Sequence, residues 1–174
     1  MTPPPAIQLH AATVAETGRV ARAVAALLRP GDALLLEGGL ASGKTCFTTL
    51  LARALGAEDA AASPTYGLAR FHETRAGRLL HMDVYRLRGR AEFHDLGLEA
   101  YFPACITVIE WGGLVAPDFP EHLSVAFAFD PDAPGADDEE AGEESPRLLT
   151  LTAHGPRWRA AFPRLRQALE GEAA

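Results

Sequence analysis

The 174-residue sequence contains no asparagine, one lysine and two cysteines. The two cysteines, Cys46 and Cys105, lie far apart and form no CxxC pair, which excludes a disulfide scaffold and a cysteine-rich zinc site. No run of about 18 apolar residues is present, so the sequence predicts no transmembrane helix. Residues 1–10 contain three prolines and lack the apolar core of a signal peptide. We therefore expect a soluble cytoplasmic protein.

Negative charge is in excess, but it is concentrated in one segment. Acidic residues outnumber basic residues 23 to 16, and the formal charge of −7 argues against a surface built wholly for nucleic acid or for an anionic membrane. Eight of the acidic residues lie between Asp130 and Glu144, where there is no lysine or arginine, so the rest of the chain is close to neutral. The stretch 130–146 has almost no apolar residue to bury, and we expect it to form a mobile loop.

Apolar residues make up 48% of the chain, enough for one sizeable core, so we expect a single domain over residues 1–174. Apolar positions at helical spacing predict four helices, over 13–28, 47–55 and 89–102 and from about Trp158 onward. Short apolar runs predict six strands, over 33–37, 66–72, 78–85, 105–109, 123–129 and 147–152. The two strands at 66–85 and the two at 123–152 are expected to form antiparallel pairs. The pattern indicates an α/β fold with a mixed sheet.

One motif in the chain carries a specific chemistry. Residues 38–45, GGLASGKT, satisfy the pattern GxxxxGK[ST] and lie between a predicted strand and a predicted helix, as a phosphate-binding P-loop requires. Backbone N–H groups in such a loop form a concave row at the positive end of the following helix and bind polyphosphate. The residues expected to contact the nucleotide are Leu40, Ala41, Ser42, Gly43, Lys44, Thr45 and Cys46.

Lys44 and Thr45 have distinct predicted roles. Arginine fills the other 15 basic positions, and a lysine here supplies a compact ammonium that reaches phosphate oxygens from a cramped loop, where a planar guanidinium has the wrong shape. The Thr45 hydroxyl is expected to bind Mg²⁺, and Gly38 and Gly43 permit backbone geometry that a Cβ would hinder. The expected architecture is a P-loop NTPase-like three-layer α/β fold with a mixed β-sheet, C-terminal antiparallel strands and a terminal helix.

A P-loop needs an acidic partner at the end of a neighbouring strand to hold magnesium or its waters, and two residues qualify. Asp83 ends the segment LLHMD and Glu110 ends ITVIE, and both follow apolar strands. We expect both at the metal or at the attacking water. The polar turn at 63–65 is a further candidate, because the hydroxyl or backbone of Thr65 would lie near the ion if this segment met the γ-phosphate.

The order of motifs along the chain resembles that of the TsaE family, formerly YjeE. These motifs are GGLASGKT, SPTY at 63–66, HMDVYRL at 81–87, GLEAYF at 97–102 and IEW at 109–111, and the resemblance extends over about residues 7–130. It implies a bacterial ATPase of tRNA threonylcarbamoyladenosine synthesis that uses ATP and Mg²⁺ and associates with the TsaB and TsaD proteins and, within that assembly, tRNA. It also implies that Lys44 contacts phosphate, Thr45 and Glu110 lie at Mg²⁺, Asp83 acts in hydrolysis and Trp111 lies beside the site.

The chain departs from the family pattern in its loop. The family usually reads GDLGAGKTT, and four positions differ here, namely Gly39, Ala41, Ser42 and Cys46. Alanine at position 41 in place of glycine is expected to stiffen the loop while phosphate binding survives. Family members also carry an arginine near the nucleotide after the antiparallel strand, and Arg147 is its candidate counterpart. The resemblance further places the N-terminal stretch near Ala11 on the adenine side.

Two other functions fit the same motif. A small-molecule P-loop kinase usually begins with its P-loop, whereas 37 residues precede Gly38 here, although the arginines at 86–90 would serve as a lid. A nucleotide-sensing adaptor would bind ATP to control an assembly and hardly hydrolyse it. A GTPase of the NKxD kind is disfavoured because the chain has no asparagine. For His81 we expect packing or hydrogen bonding rather than zinc, since no further His or Cys stands at ligand spacing.

Overall fold

The computed structural model describes residues 3–58, 67–130 and 145–171. Within these ranges the chain forms seven strands, four α-helices and two 3₁₀ segments. In chain order they are β1 (Ala6–Ala11), α1 (Val14–Ala25), β2 (Ala33–Gly38), α2 (Lys44–Ala54), β3 (Ala69–Thr74), β4 (Gly77–Asp83), α3 (Arg90–His94), a 3₁₀ segment (Glu99–Ala104), β5 (Cys105–Glu110), a second 3₁₀ segment (Gly112–Asp118), β6 (His122–Phe129), β7 (Arg147–His154) and α4 (Gly155–Gly171).

These strands belong to one mixed sheet, in the order β1-β7-β6-β2-β5-β4-β3. The four central strands, β6, β2, β5 and β4, run parallel. The outer strands β7, β1 and β3 pair antiparallel with their neighbours. Strand β5 is buried at every residue, as expected of a parallel strand that is covered on both faces. The predicted α/β fold, with its mixed sheet, C-terminal antiparallel strands and terminal helix, is therefore confirmed.

The sheet is the middle one of three layers. Helices α1, α2 and α4 cover one face, over a core in which Leu34, Leu36, Phe47 and Trp158 are fully buried. The shorter α3 and the two 3₁₀ segments cover the other face, where Phe93 and Phe119 are buried. The three long helices, including α2, which follows the GGLASGKT loop, therefore all lie on the same face of the sheet.

Residues 89–102 do not form the single helix that their pattern predicts, so this prediction is wrong. Helix α3 ends at His94, and Gly97 follows with a φ of +66°, a left-handed conformation that ends helices and that glycine adopts readily. The chain then continues as a 3₁₀ segment that contains Pro103, which has no N–H to donate. The apolar residues before and after Gly97 have helical spacing along the sequence, although the backbone between them is not helical.

Strand β1 has no counterpart in the sequence-based prediction. It pairs antiparallel with β7 at the sheet edge, and Ile7, Leu9 and Ala11 contribute to the core on the helical face. Helix α1 follows after Thr13, whose Oγ1 accepts the backbone N–H of Glu16 over 3.2 Å. This side-chain cap satisfies one of the free N–H groups at the helix start and fixes the turn between β1 and α1.

No helix in the described parts of the chain is both long and apolar enough to cross a membrane. Most of the acidic stretch, residues 131–144, lies outside the described residues. Asp130, at its start, is buried, and its carboxylate lies 2.6 Å from His10 Nδ1. The expectations of a mobile acidic loop and of one domain over residues 1–174 stay predictions.

Two stacked histidines lie at the end of the sheet opposite the P-loop. The rings of His122 and His154 are parallel within 13°, with their centroids 4.2 Å apart. Burial lowers the pKa of the His122 imidazole. The hydrogen bond from Nδ1 to the Phe119 carbonyl oxygen raises it by a smaller amount. Burial also lowers the pKa of His154, and the charge of Arg159 adds to this effect.

We expect the free energy of unfolding to decrease as the pH falls below about 6.5. The pKa values of both histidines in the folded protein lie below the ordinary histidine value of 6.5, so the unfolded chain takes up protons at a higher pH than the folded chain does. The stability that the two neutral histidines contribute is therefore complete above pH 6.5 and is lost as the pH falls toward the lowered pKa values. Urea unfolding of the parent and of His154→Gln between about pH 7 and pH 5 measures it. The variant should lose less stability over this range, and an identical pH dependence in both proteins would contradict the assignment.

Candidate nucleotide-binding site

The carboxyl ends of three neighbouring parallel strands bring the predicted site groups together. Strand β2 leads into the GGLASGKT loop, and β5 beside it ends in Glu110, which pairs with Leu36. Strand β4 is next and ends in Asp83, which pairs with Glu110. Residues paired across parallel strands point to the same face of the sheet. Because Leu36 belongs to the core under the helical layer, both carboxylates point toward the side that α2 covers.

The backbone of the loop requires glycine at two positions. Gly38 has a φ of +144°, and a Cβ there would lie 2.6 Å from both the Phe127 carbonyl oxygen and Ser42 Oγ. Gly43 has a φ of +107° and is the N-cap of α2, which begins at Lys44. The first N–H groups of any helix lack partners within the helix, and the helix dipole is positive there. The loop and the start of α2 therefore form a concavity suited to an anion.

The Lys44 ammonium group lies inside the loop. Its Nζ donates to the carbonyl oxygens of Gly38 and Gly39 over 2.8 and 2.7 Å, and to Ser42 Oγ over 3.3 Å. The residue is only 5% exposed. Nζ also lies 3.9 Å from the centre of the Trp111 ring, close enough for a cation–π contact. The single lysine of the chain is thus held at the centre of the predicted phosphate site.

Three carboxylates determine the charge around Lys44. Burial lowers the pKa of Lys44, and Glu110, Asp83 and Glu37 act in the opposite direction. Glu37 lies at the end of β2 and accepts the backbone N–H of Gly113. Burial raises the pKa of Glu37, against the effects of Gly113 and Lys44. The carboxylates therefore favour the charged form of the ammonium group, whereas burial disfavours it.

Glu110 contacts α2 with one carboxylate oxygen and strand β4 with the other. Thr45 Oγ1 donates to Glu110 Oε2 over 2.8 Å, and His81 Nε2 lies 2.8 Å from Glu110 Oε1. Glu110 and His81 are 2% and 3% exposed. The sequence predicts a hydrogen bond or packing for His81, and the structure gives it a buried hydrogen bond. Asp83, half-buried beside them, accepts the backbone N–H of Tyr85 at Oδ1 over 3.0 Å.

The donor set of the site suits Mg²⁺ bound together with phosphate. Among the described residues, no group of three or more His, Cys, Asp or Glu side chains would hold a metal ion by itself. Mg²⁺ usually binds through one or two carboxylates, waters and substrate phosphates rather than in a cage of protein ligands. The Thr45 hydroxyl, Glu110 and Asp83 offer oxygen atoms beside the anion-binding loop, and the residues present therefore fit such an ion.

A cavity of about 660 Å³ opens over the loop. This volume lies within the range of about 300–1,000 Å³ that is typical of sites for small molecules and cofactors. The loop residues 40–46 line it, as do Ala11, Asp83, Glu110, Trp111 and Arg147. All of the predicted site residues that the structure describes therefore surround one cavity. Thr65 lies outside the described residues.

Trp111 forms an aromatic wall of the cavity. It follows Glu110 directly and has a φ of +61°, an uncommon left-handed conformation for a large side chain. Its ring packs against that of Tyr85, with the centroids 4.8 Å apart. Tyr85 is 59% exposed and also lines the cavity. The position of Trp111 beside the site, which the family resemblance implies, agrees with this geometry.

Arg147 braces the loop from strand β7. Its Nε donates to the Ser42 carbonyl oxygen over 2.9 Å and its Nη2 to the Ala41 carbonyl oxygen over 3.2 Å. The guanidinium also lies 4.4 Å from the centre of the Phe129 ring. Arg147 also lines the cavity, and its hydrogen bonds fix the loop backbone. Its contact with a nucleotide, which the family resemblance implies, stays a prediction. Ala41, whose carbonyl oxygen accepts one of these hydrogen bonds, has a φ of +57°.

Replacing Ala41 with glycine is expected to raise the free energy of unfolding by up to about 1 kcal/mol. A left-handed conformation costs an alanine about 1–2 kcal/mol, which exceeds the roughly 0.5–1 kcal/mol of backbone entropy that a glycine loses on folding. Urea unfolding measures the change. Ala168→Gly, at an exposed position inside α4, is the matched control and should lower stability by about 0.5–1 kcal/mol. Destabilisation of both variants to the same extent would contradict strain at Ala41.

Several lining residues carry no role in the sequence-based prediction. They are Thr13, Val14, Thr17, Leu87 and Phe127, together with Tyr85, and they come from three separate parts of the chain. Tyr85 and Leu87 belong to the HMDVYRL motif, which gave them no role of their own, and the other four lie outside the quoted motifs. The order of the strands brings all six to one cavity. Within the arginine cluster at 86–90, Arg86 lines the cavity, while Arg90 donates from Nε to Asp118 Oδ2 over 2.8 Å.

The fold and the site define the class of protein. The chain has the P-loop NTPase-like α/β fold, with the GGLASGKT loop and two carboxylates at the carboxyl ends of its parallel strands. A family model described as "Threonylcarbamoyl adenosine biosynthesis protein TsaE" matches residues 11–133. The chain belongs to this TsaE family, and the predicted family resemblance is confirmed.

Individual relatives agree with this assignment. The tRNA threonylcarbamoyladenosine biosynthesis protein TsaE of Bacillus subtilis is 36% identical over 145 residues, which cover 82% of this chain and 83% of the relative. The protein of the same name from Treponema pallidum is 42% identical over 108 residues, 62% of this chain and 79% of the relative. The crystal structure of Bacillus subtilis YdiB aligns over 100% of both chains with a TM-score of 0.73 and 26% identity.

Proposed function

We propose that this chain is a magnesium-dependent ATPase that supports tRNA threonylcarbamoyladenosine biosynthesis as a partner of the TsaB and TsaD proteins. One observation carries the proposal: in a chain of the TsaE family, the P-loop threonine donates a hydrogen bond to a buried carboxylate at the end of the neighbouring parallel strand. This contact supports the proposal, because Thr45 and Glu110 would together offer oxygen ligands to a nucleotide-bound metal ion.

Phosphate binding falls to the loop and to Lys44. The N–H groups at the start of α2 would bind phosphate oxygens together with the positive end of the helix dipole. The Lys44 ammonium would exchange its loop carbonyl partners for the oxygens of the β- and γ-phosphates, because a contact between opposite charges is stronger than one between an ammonium group and a neutral carbonyl. Gly38, Gly43 and the brace from Arg147 keep the loop in the shape that this binding needs.

Metal binding falls to the Thr45 hydroxyl and to Glu110, with Asp83 beside them. When bound, Mg²⁺ supplies a positive charge that withdraws electron density from the phosphates and neutralises charge in the transition state. Glu110 holds Thr45 in place through Oε2, and Asp83 faces the cavity with a carboxylate that would orient the attacking water. We assign the catalytic roles to Lys44, Asp83 and Glu110 and the metal contacts to Thr45, Asp83 and Glu110.

The pathway and the partners are proposed from the family. Relatives carry the name tRNA threonylcarbamoyladenosine biosynthesis protein TsaE. The proposed partners TsaB, TsaD and tRNA are those that the resemblance to the TsaE family implies. Because partner-dependent NTPases often complete their site only in the complex, we expect slow ATP hydrolysis by the isolated chain. Ala11 and Trp111, on the cavity wall, would contact the nucleoside part of ATP.

Phosphate release from ATP by the reconstituted mixture tests this proposal. The assay contains the chain, TsaB, TsaD and tRNA, and each component is omitted in turn. We expect the fastest release in the complete mixture and a slow rate for the chain alone. Phosphate release that no component stimulates would contradict the partner assignment. Transfer of phosphate to a small metabolite would favour a kinase, and ATP-controlled assembly without phosphate release would favour an adaptor.

A further inference from the structure

His81 is a buried group to which the proposed chemistry gives no role. It lies on β4, two residues before Asp83 and on the same face of the sheet. Its imidazole is almost completely shielded from solvent, and its Nε2 lies 2.8 Å from Glu110 Oε1. The His72 ring lies alongside, with the two centroids 6.4 Å apart. In the part of the chain that the structure describes, His81 does not line the cavity but contacts Glu110, which does.

The direction of this hydrogen bond follows from the chemistry of the carboxylate. An ionised carboxylate accepts hydrogen bonds and donates none, so His81 Nε2 carries the hydrogen that points at Oε1. The other oxygen, Oε2, accepts the Thr45 hydroxyl over 2.8 Å. Each Glu110 oxygen thus has one donor, and the two donors come from different elements, β4 and α2. The plane of the carboxylate is fixed by this pair of contacts.

We infer that His81 is a positioning residue that holds the Glu110 carboxylate toward Thr45 and thereby sets the affinity for magnesium rather than for nucleotide phosphate. The inference rests on the proposed function. Without the Nε2 donor, Glu110 Oε1 would be a buried acceptor with no partner from β4, and the carboxylate would rotate to find one. Hydrogen-bond partners behind a metal ligand typically change metal affinity by about 10- to 100-fold when they are removed.

Two substitutions of His81 separate positioning from packing. His81→Leu removes the donor and leaves a buried apolar side chain, whereas His81→Gln keeps an amide N–H of similar reach. His122→Leu is the matched control, because His122 is another buried histidine of the same sheet at the end remote from the P-loop. Urea unfolding establishes that each variant is folded before any binding measurement.

Binding of a fluorescent ADP analogue is measured for each protein in EDTA and then at increasing magnesium concentration. For His81→Leu we expect the magnesium concentration at half-maximal effect to rise about 10-fold or more, with binding in EDTA within about twofold of the parent. His81→Gln should restore most of the magnesium response, and His122→Leu should retain all of it. Equal losses in the leucine and glutamine variants, or an unchanged response in both, would overturn the positioning role.

A second readout needs neither nucleotide nor metal. In nitrogen-15 NMR spectra of the parent protein, we expect His81 as the Nε2–H tautomer with a slowly exchanging ring hydrogen, which Glu110→Ala should release to fast exchange. An Nδ1–H tautomer would overturn the inference. A parent protein that binds the ADP analogue equally with and without magnesium would overturn the proposed function as well, whereas a normal parent with an unaffected His81→Leu variant overturns the role of His81 alone.

Discussion

Replacing Lys44 with alanine is expected to weaken ATP binding by about 100-fold and to abolish measurable ATP hydrolysis. The ammonium group is the cation at the centre of the loop, and hydrogen bonds to charged groups contribute about 1.5–3 kcal/mol each. A loss of about 2.8 kcal/mol corresponds to a 100-fold change in the dissociation constant. Calorimetric titration with ATP in excess magnesium measures the binding, and phosphate release measures the hydrolysis.

Two further variants define what Lys44 contributes. Lys44→Arg keeps the positive charge, but the planar guanidinium does not fit among the loop carbonyls, so this variant should remain impaired. Arg53→Ala removes an exposed cation near the end of the same helix and should leave binding unchanged. ATP binding by a folded Lys44→Ala protein within about threefold of the parent would show that the loop does not bind phosphate through this lysine.

Replacing Glu110 with glutamine is expected to slow ATP hydrolysis by about 100-fold or more, in line with the loss of one electrostatic group from a transition state. The glutamine has nearly the same shape but no negative charge, so magnesium should no longer strengthen nucleotide binding. Binding in EDTA should be at least as strong as in the parent, because the negative charge that would repel the phosphates is removed. A change in magnesium-dependent binding alone thus distinguishes a residue that binds the metal from a residue that binds phosphate.

Glu73→Gln is the matched control for this experiment. Glu73 is an exposed carboxylate on β3 that pairs with Arg78, and its neutralisation should leave hydrolysis and the magnesium response unchanged. A Glu110→Gln protein that hydrolyses ATP at the parent rate would remove Glu110 from the site. A variant that loses binding equally with and without magnesium would instead place Glu110 in the support of the loop.

The sequence predicts the site well where the information is local. The P-loop follows from one eight-residue pattern between a strand and a helix, so Lys44 and Thr45 could be placed without any knowledge of the sheet. Asp83 and Glu110 could be placed because each ends an apolar strand, and the ends of parallel strands meet at one edge. The contact of Thr45 with Glu110 confirms that β5 lies beside β2.

Contacts that depend on strand register could not be predicted. His81 and Glu110 lie on adjacent strands, and only the register Asp83 with Glu110 brings the imidazole to the carboxylate. The sequence also failed where tertiary pairing overrides a weak local pattern. The alternation of Ile7, Leu9 and Ala11 is a short strand signal, and β1 is stabilised by β7, which lies near the other end of the chain.

The central claim is that the GGLASGKT loop binds the phosphates of a nucleotide, and a comparison of ATP with AMP tests it most directly. Calorimetric titrations of the parent protein with each nucleotide in excess magnesium need no partner and no turnover. We predict one ATP site per chain and binding of ATP at least about 100-fold tighter than that of AMP, because only ATP carries the β- and γ-phosphates that Lys44 and the helix start would contact. Equal affinity for the two nucleotides, or no ATP binding, would contradict the claim.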